Sequence, residues 1–220
     1  MSSYFICENS GCYHSNEENG FHIQRGIPIL VSTKSDTLCD PTNINSYVGR
    51  SGNIISKLKK IFLGESKITK KNCNVFLSET KQLNNKPKIL VIGSGERGSG
   101  TNKLWEDNEI EIHGIDVYIS DTVDIVCDAH YLPLESNFYD GVWIQAVLEH
   151  VVEPEKVVAE IYRVLKNNTF FAFSEHGLGP KGNPYFPLPW ADDEKMSFLL
   201  DPKKTIELLK EIGFKSISFM

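Results

Sequence analysis

The sequence predicts a doubly wound α/β domain on a mostly parallel sheet, and three observations support this. Apolar, strand-like runs alternate with helical patterns from residue 88 onwards, which is typical of a parallel sheet covered by helices on both faces. A glycine-rich turn follows the first of these strands, as it does in open α/β sheets that bind nucleotides. Hydrophobic residues make up 40% of the chain and charged residues 24%, so the chain can bury a core of ordinary size.

The charge distribution indicates a boundary near Pro87. Residues 1–86 contain 11 basic and 7 acidic side chains, a net charge of +4, whereas residues 87–220 contain 12 and 22, a net charge of −10. We therefore expect a small ribbon-like segment at 1–48, a helical linker at 49–86 and the α/β domain at 87–220.

Composition also excludes some classes of protein. The net charge of −6 argues against a nucleic-acid binder. No apolar run is long enough to span a membrane, and no secretory leader is readable. Five cysteines without regular spacing then favour reduced thiols and a cytoplasmic location.

The first segment carries a candidate zinc knuckle. Cys7 and Cys12 are close in sequence, but a closed zinc site needs four ligands and no second close pair is present. The alternative is a ribbon held together by apolar residues, namely Phe21, Ile23, Ile27 and Ile29.

The linker is predicted to be helical. Apolar residues recur at helical spacing over 52–64, and lysines fall largely on the other face. Such a basic helix could bind an anionic membrane surface or an acidic partner, but packing of its apolar stripe on the following domain is favoured. A second helix is expected at 75–83, ending before Pro87.

The α/β domain is predicted element by element. Strands are expected at 88–92, 110–116, 123–127, 141–145, 169–174 and 215–219, a short helix after the first strand, and longer helices at 154–166 and 202–212. Pro154 suits a first helical turn. Asp201 is a candidate N-cap before Pro202, and Gly213 is placed to end that helix.

The glycine-rich turn is the first feature that carries chemistry. Gly93, Gly95 and Gly98 follow the strand at 88–92, and Asp116 ends the next strand. Glycines allow backbone amides to approach a ligand closely, and a carboxylate at that strand end can accept hydrogen bonds from both hydroxyls of a ribose. Together they favour an adenosine-type ligand.

Two further motifs, at 128–134 and 138–150, separate the possible cofactors. With them the chain resembles class I S-adenosylmethionine-dependent methyltransferases with a Rossmann-like fold, in particular the type 11 small-molecule branch, over residues 87–219. The resemblance implies S-adenosylmethionine as cofactor, and it implies these contact residues: Gly93, Ser94, Gly95, Asp116, Val117, Asp128, Ala129 and Gln145. The chain departs from the family's usual pattern at Val91, where an acidic residue is common, and at Arg97, which replaces a glycine. The first segment likewise resembles the small zinc-ribbon-like segment found beside some bacterial methyltransferase domains, with half of the usual cysteines missing.

The candidate catalytic residues are Glu149, His150 and His176, with His130 as a further ionisable group near the strand ends. Each is expected near the carboxyl ends of the strands, where open α/β sheets bind ligands. The alternative is that Glu149 and His150 only cap the following helix. Four prolines between 180 and 189, with Tyr185, Phe186 and Trp190, suggest a stiff lid over a substrate pocket, or else a cap on the sheet edge.

The expected function is methyl transfer to a nitrogen or oxygen of a small molecule. One alternative is a non-catalytic binding protein of the same fold, because Val91 and Arg97 weaken the cofactor pattern. Another is a nicotinamide-dependent oxidoreductase, because Tyr162 and Lys166 have the spacing of short-chain dehydrogenases. The usual seventh strand of the fold is not found in the sequence, which predicts an exposed sheet edge and a possible homodimer.

Overall fold

The computed structural model describes residues 4–15, 20–33, 35, 66–179, 182, 184–188, 193, 199 and 201–218. The predicted amphipathic helix at 52–64 lies outside these residues, as do Cys39 and Trp190.

A parallel sheet, as predicted, forms the centre of the described part of the chain, but it has five strands rather than the six expected. Its strands are β4 (Lys88–Ile92), β5 (Glu111–Asp116), β6 (Ile125–Val126), β7 (Tyr139–Gln145) and β8 (Leu165–Ser174). They are arranged in the order β6-β5-β4-β7-β8, and every neighbouring pair is parallel. From β4 the chain adds β5 and β6 on one side and then crosses over to add β7 and β8 on the other side. Open α/β sheets bind ligands outside the carboxyl ends of the strands at such a switch point.

Helices cover both faces of this sheet. They are α1 (Lys67–Leu83), α2 (Asn102–Glu106), α3 (Pro154–Val164) and α4 (Pro202–Ile212). Along β4, Ile89 and Val91 join one buried cluster with α1 and α2, whereas Leu90 and Ile92 join another with α3 and α4. This alternation follows from the two-residue period of a strand. None of the described helices is long and apolar enough to cross a membrane.

The start of α4 confirms the predicted cap. The side chain of Asp201 accepts hydrogen bonds from the backbone N–H groups of Lys203 at 2.7 Å and Lys204 at 3.3 Å. We expect Asp201→Ala to lower the free energy of unfolding by about 1 kcal/mol, because these N–H groups lose their acceptor. Urea denaturation measures this, with Glu207→Ala on the exposed side of the same helix as the control. Equal stability of the two variants would contradict the cap.

A helix end and a whole strand predicted in the second half of the domain were wrong. Helix α3 ends at Val164 rather than at 166, because Leu165 already has an extended backbone and begins β8. The predicted strand at 215–219 does not form over its described residues, 215–218. Ser216 has a left-handed backbone with φ of 54°, which interrupts an extended run, and Phe214 and Ile217 pack against the core instead.

The amino-terminal segment forms a small antiparallel sheet of its own. Its strands are β1 (Tyr4–Phe5), β2 (Phe21–Gln24) and β3 (Ile27–Pro28). Arg25 and Gly26, both with positive φ, make the turn between β2 and β3, as in a two-residue hairpin.

Directly after β3, this segment joins the edge of the large sheet. Ile29 forms a parallel bridge with Val126 of β6, and the backbone N–H of Leu30 donates to the Val126 carbonyl at 2.7 Å. A separate apolar cluster lies at this junction, and it contains Ile29, Val31, Ile119, Val123 and Val126. The segment therefore packs on the α/β domain along the outer side of β6.

Candidate functional site

The glycine-rich turn at the carboxyl end of β4 lies directly against neighbouring strand ends. A Cβ atom on Gly93, whose φ is +74°, would lie 2.2 Å from Cγ2 of Val147. A Cβ on Gly98 would lie 2.2 Å from Oε1 of Gln145. Both distances are far too short for real contacts, so a side chain at either position would displace Val147 or Gln145, and Gly93 also has a left-handed backbone that favours glycine.

Asp116 links the turn to the end of β5. Its Oδ2 accepts a hydrogen bond from the Gly95 N–H at 2.8 Å, and its Oδ1 accepts one from the Val117 N–H at 2.7 Å. Burial raises the pKa of Asp116 above its usual value, although these backbone hydrogen bonds act in the opposite direction. Gly95, Asp116 and Val117, which were predicted as cofactor contacts, therefore lie together.

Ser94 has a structural role in the same turn. It is fully buried, and its hydroxyl donates to the backbone carbonyl of Ile115 at 3.2 Å. This bond fixes the turn to β5. The Ser94 side chain is therefore used within the protein, and the predicted contact of Ser94 with the cofactor stays a prediction.

A small cavity of about 20 Å³ lies between the turn and β7, and its lining includes Gly93, Gly98, Trp105, Trp143 and Gln145. Among the described residues, two buried polar atoms have no hydrogen-bond partner here: Nε1 of Trp143 and Oε1 of Gln145. Unpaired buried polar groups are costly, so they mark places where a ligand or water belongs. Gln145 was predicted as a cofactor contact and Trp143 was not, although a two-residue spacing on a strand places both side chains on one face.

Asp128 and Ala129 lie at the end of β6, as predicted, but both are buried. The Asp128 carboxylate accepts hydrogen bonds from the backbone and ring nitrogens of His130 at 2.9 and 2.6 Å, and from the Ser35 hydroxyl at 2.9 Å. The other ring nitrogen of His130 accepts from the Glu153 N–H at 3.3 Å, so the His130 proton belongs on Nδ1. Asp128, a predicted cofactor contact, is thus held by the protein's own donors, and His130 is a structural group.

Two of the predicted catalytic residues meet at the carboxyl ends of β7 and β8. Nδ1 of His176 lies 2.7 Å from Oε1 of Glu149. Glu149 is 2% exposed, whereas the side chain of His176 is 57% exposed. Burial alone would raise the pKa of Glu149, but hydrogen bonds from Glu175 and His176 outweigh it and lower the pKa below its usual value. The result is a buried carboxylate that holds an exposed imidazole.

His150, the third predicted catalytic residue, is exposed at the end of a 3₁₀ helix, Leu148–His150. Its backbone N–H donates to the Val147 carbonyl at 2.9 Å. The turn that leads there is strained, because Ala146 has a φ of 53°, and strained non-glycine residues cluster at functional sites.

Tyr162 and Lys166, the pair with short-chain dehydrogenase spacing, do not lie at the glycine-rich turn as an oxidoreductase site would require. The Tyr162 ring packs on Phe214, with centroids 5.1 Å apart. Nζ of Lys166 lies 2.8 Å from Oδ1 of Asp140, which is near the amino end of β7. The glycine turn lies at the carboxyl ends of the strands, so Lys166 is at the opposite edge of the sheet.

The described part of the amino-terminal segment does not complete a metal site. Sγ of Cys12 lies 3.8 Å from Nδ1 of His14, but no group of three or more possible ligands is present among the described residues. In the predicted lid, Tyr185 is 97% exposed, so its side chain covers no described pocket.

Comparisons with known proteins agree with this geometry. Residues 90–173 match the family model described as "Methyltransferase domain", and comparison with curated proteins gave no significant match. Among solved structures, the cyclase SpnF is 24% identical, with a TM-score of 0.52, over 68% of this chain and 59% of that one. Phosphoethanolamine N-methyltransferase 2 of Haemonchus contortus is 22% identical, with a TM-score of 0.47, over 64% of this chain and 36% of that one. The chain thus spans less than two thirds of the length of either protein.

Proposed function

We propose that this chain, whose residues 90–173 match a methyltransferase-domain family model, is a class I S-adenosylmethionine-dependent methyltransferase that transfers a methyl group to a nitrogen or oxygen of a small molecule. The observation that carries the proposal is the pair of unpartnered polar atoms, Trp143 Nε1 and Gln145 Oε1, beside a turn in which Gly93 and Gly98 approach the side chains of neighbouring strand ends closely.

The residues present fit S-adenosylmethionine, which supplies a methyl group already activated on a sulfonium. Asp116 can accept hydrogen bonds from ribose hydroxyls at the end of β5. Gln145 Oε1 is an acceptor that suits the cofactor's ammonium group, and Trp143 Nε1 is a donor that suits its carboxylate. This pair can replace the acidic residue that is common at the position of Val91.

His176 is the proposed general base. With Nδ1 donating to Glu149, the basic lone pair of the neutral imidazole lies on Nε2. The exposure of His176 at the carboxyl ends of the strands allows a small acceptor to reach it. His176 would accept the proton that a nucleophilic nitrogen or oxygen loses, while Glu149 fixes the ring and stabilises its charged form.

Isothermal titration calorimetry with S-adenosylhomocysteine and with NAD is the first test of the proposal. We expect S-adenosylhomocysteine to bind and NAD not to bind. The wild-type protein, incubated with labelled S-adenosylmethionine and a metabolite extract, should then give a product heavier by one methyl group in place of hydrogen.

His176→Ala should lower this methyl transfer by on the order of 100-fold or more and leave S-adenosylhomocysteine binding unchanged. Binding of NAD, or of neither ligand, would contradict the proposal. Cofactor binding without any methylated product would favour the alternative of a binding protein, since one fold supports many functions.

A further inference from the structure

Glu175, the residue before His176, is fixed to the loop that carries Glu149. Its Oε2 accepts hydrogen bonds from the backbone N–H groups of Val147 and Leu148, at 2.8 and 3.0 Å. These two residues directly precede Glu149 in the sequence. The end of β8 is thereby tied to the end of β7 through the Glu175 side chain.

The other oxygen of Glu175, Oε1, is buried, and no described residue donates a hydrogen bond to it. The neighbouring ionisable group is the buried carboxyl of Glu149. Ionised carboxylates can only accept hydrogen bonds, so a hydrogen bond between two carboxyls requires a proton on one of them. Two buried carboxyls in contact cannot both be ionised without a large cost.

The surrounding donors decide which carboxyl holds the proton. Both oxygens of Glu149 accept hydrogen bonds, Oε1 from Nδ1 of His176 at 2.7 Å and Oε2 from the His176 backbone N–H at 3.4 Å. Glu175 accepts from Val147 and Leu148 on Oε2 alone, which leaves its Oε1 as the oxygen that can carry a proton. Glu175 forms no ion pair within the described part of the chain. Burial raises its pKa well above the usual range, and the charge of Glu149 raises it further.

We propose that Glu175 is a neutral carboxylic acid that donates the proton on Oε1 to Glu149 and so acts as a positioning residue for His176. The three groups form a chain in which Glu175 donates to Glu149 and Glu149 accepts from His176 Nδ1. An effect of Glu175 on catalysis rests on the proposed role of His176 as the base. The location of the proton on Glu175 does not depend on that role.

Charge measurement on the folded protein tests the location of the proton. Glu175→Gln should leave the native electrophoretic mobility at neutral pH unchanged, because glutamine has the charge and shape of the neutral acid. The matched control is Glu155→Gln at an exposed position of α3, which should shift the mobility by one charge. A shift in Glu175→Gln equal to that of the control would overturn the proposal, whether or not the protein binds S-adenosylhomocysteine.

The positioning role is tested by comparing two substitutions at the same residue. The glutamine amide can still donate to Glu149, so Glu175→Gln should retain the proton NMR resonance of His176 Nδ1–H. Glu175→Leu cannot donate, so this resonance should be lost or broadened, while the affinity for S-adenosylhomocysteine is kept. An unchanged resonance in a folded Glu175→Leu protein would overturn the positioning role. If that variant does not fold, the charge measurement still decides the location of the proton.

Discussion

Asp116→Ala should weaken the binding of S-adenosylhomocysteine by on the order of 100-fold or more. The carboxylate at the end of β5 is the group that can accept hydrogen bonds from two ribose hydroxyls. A hydrogen bond to a charged group contributes about 1.5–3 kcal/mol, and each 1.4 kcal/mol is about tenfold in affinity. Isothermal titration calorimetry measures the change directly.

Two controls separate ligand contact from general damage. Asp121→Ala removes an exposed carboxylate from the loop after β5, and its affinity should equal that of the wild type. Gly95→Ala retains the carboxylate but places a Cβ 2.7 Å from Asp116 Oδ2, so it should lose affinity as well. Wild-type affinity in Asp116→Ala would contradict the assignment of Asp116 to the ribose.

The parts of the fold that could be predicted are those with local causes. Helix α4 was predicted with its observed bounds because Asp201, Pro202 and Gly213 are start and stop signals that act within a few residues. The strand expected at 215–219 failed because the left-handed backbone of Ser216 leaves no trace in the hydrophobic pattern.

The residues of the candidate site likewise fall into those that could be predicted from the sequence and those that could not. Gly95 and Asp116 were predicted to lie together because adjacent parallel strands bring their carboxyl ends to one edge. Trp143 was not predicted as a cofactor contact and Glu175 was not predicted as a positioning residue, since these roles depend on buried atoms without partners. Burial of a single atom is decided by tertiary packing, which no spacing along the chain encodes.

The position of the amino-terminal segment is another consequence of tertiary packing, and it leads to the second large expected effect. Ile29→Ala should lower the free energy of unfolding by about 2–5 kcal/mol, as large-to-small substitutions in a core do. Ile29 is 2% exposed and packs with Val31 and with three residues around β6. The matched control is Ile23→Ala in the same segment. Ile23 is 37% exposed, so its removal should change stability by no more than about 0.5 kcal/mol.

Tryptophan fluorescence during urea denaturation is the informative measurement, because Trp105 and Trp143 both lie in the cluster on the α1 and α2 face of the sheet, not in the cluster around Ile29. If the segment is part of one cooperative unit, a cavity at Ile29 moves the transition that these tryptophans report. If the segment folds separately, Ile29→Ala leaves that transition where it is in the wild type. An unchanged transition in Ile29→Ala would contradict cooperative folding of the segment with the sheet at the β6 edge. A shifted transition would mean that the stability of β6 depends on residues nearly a hundred positions away in the sequence. Strand β6 leads directly into Asp128.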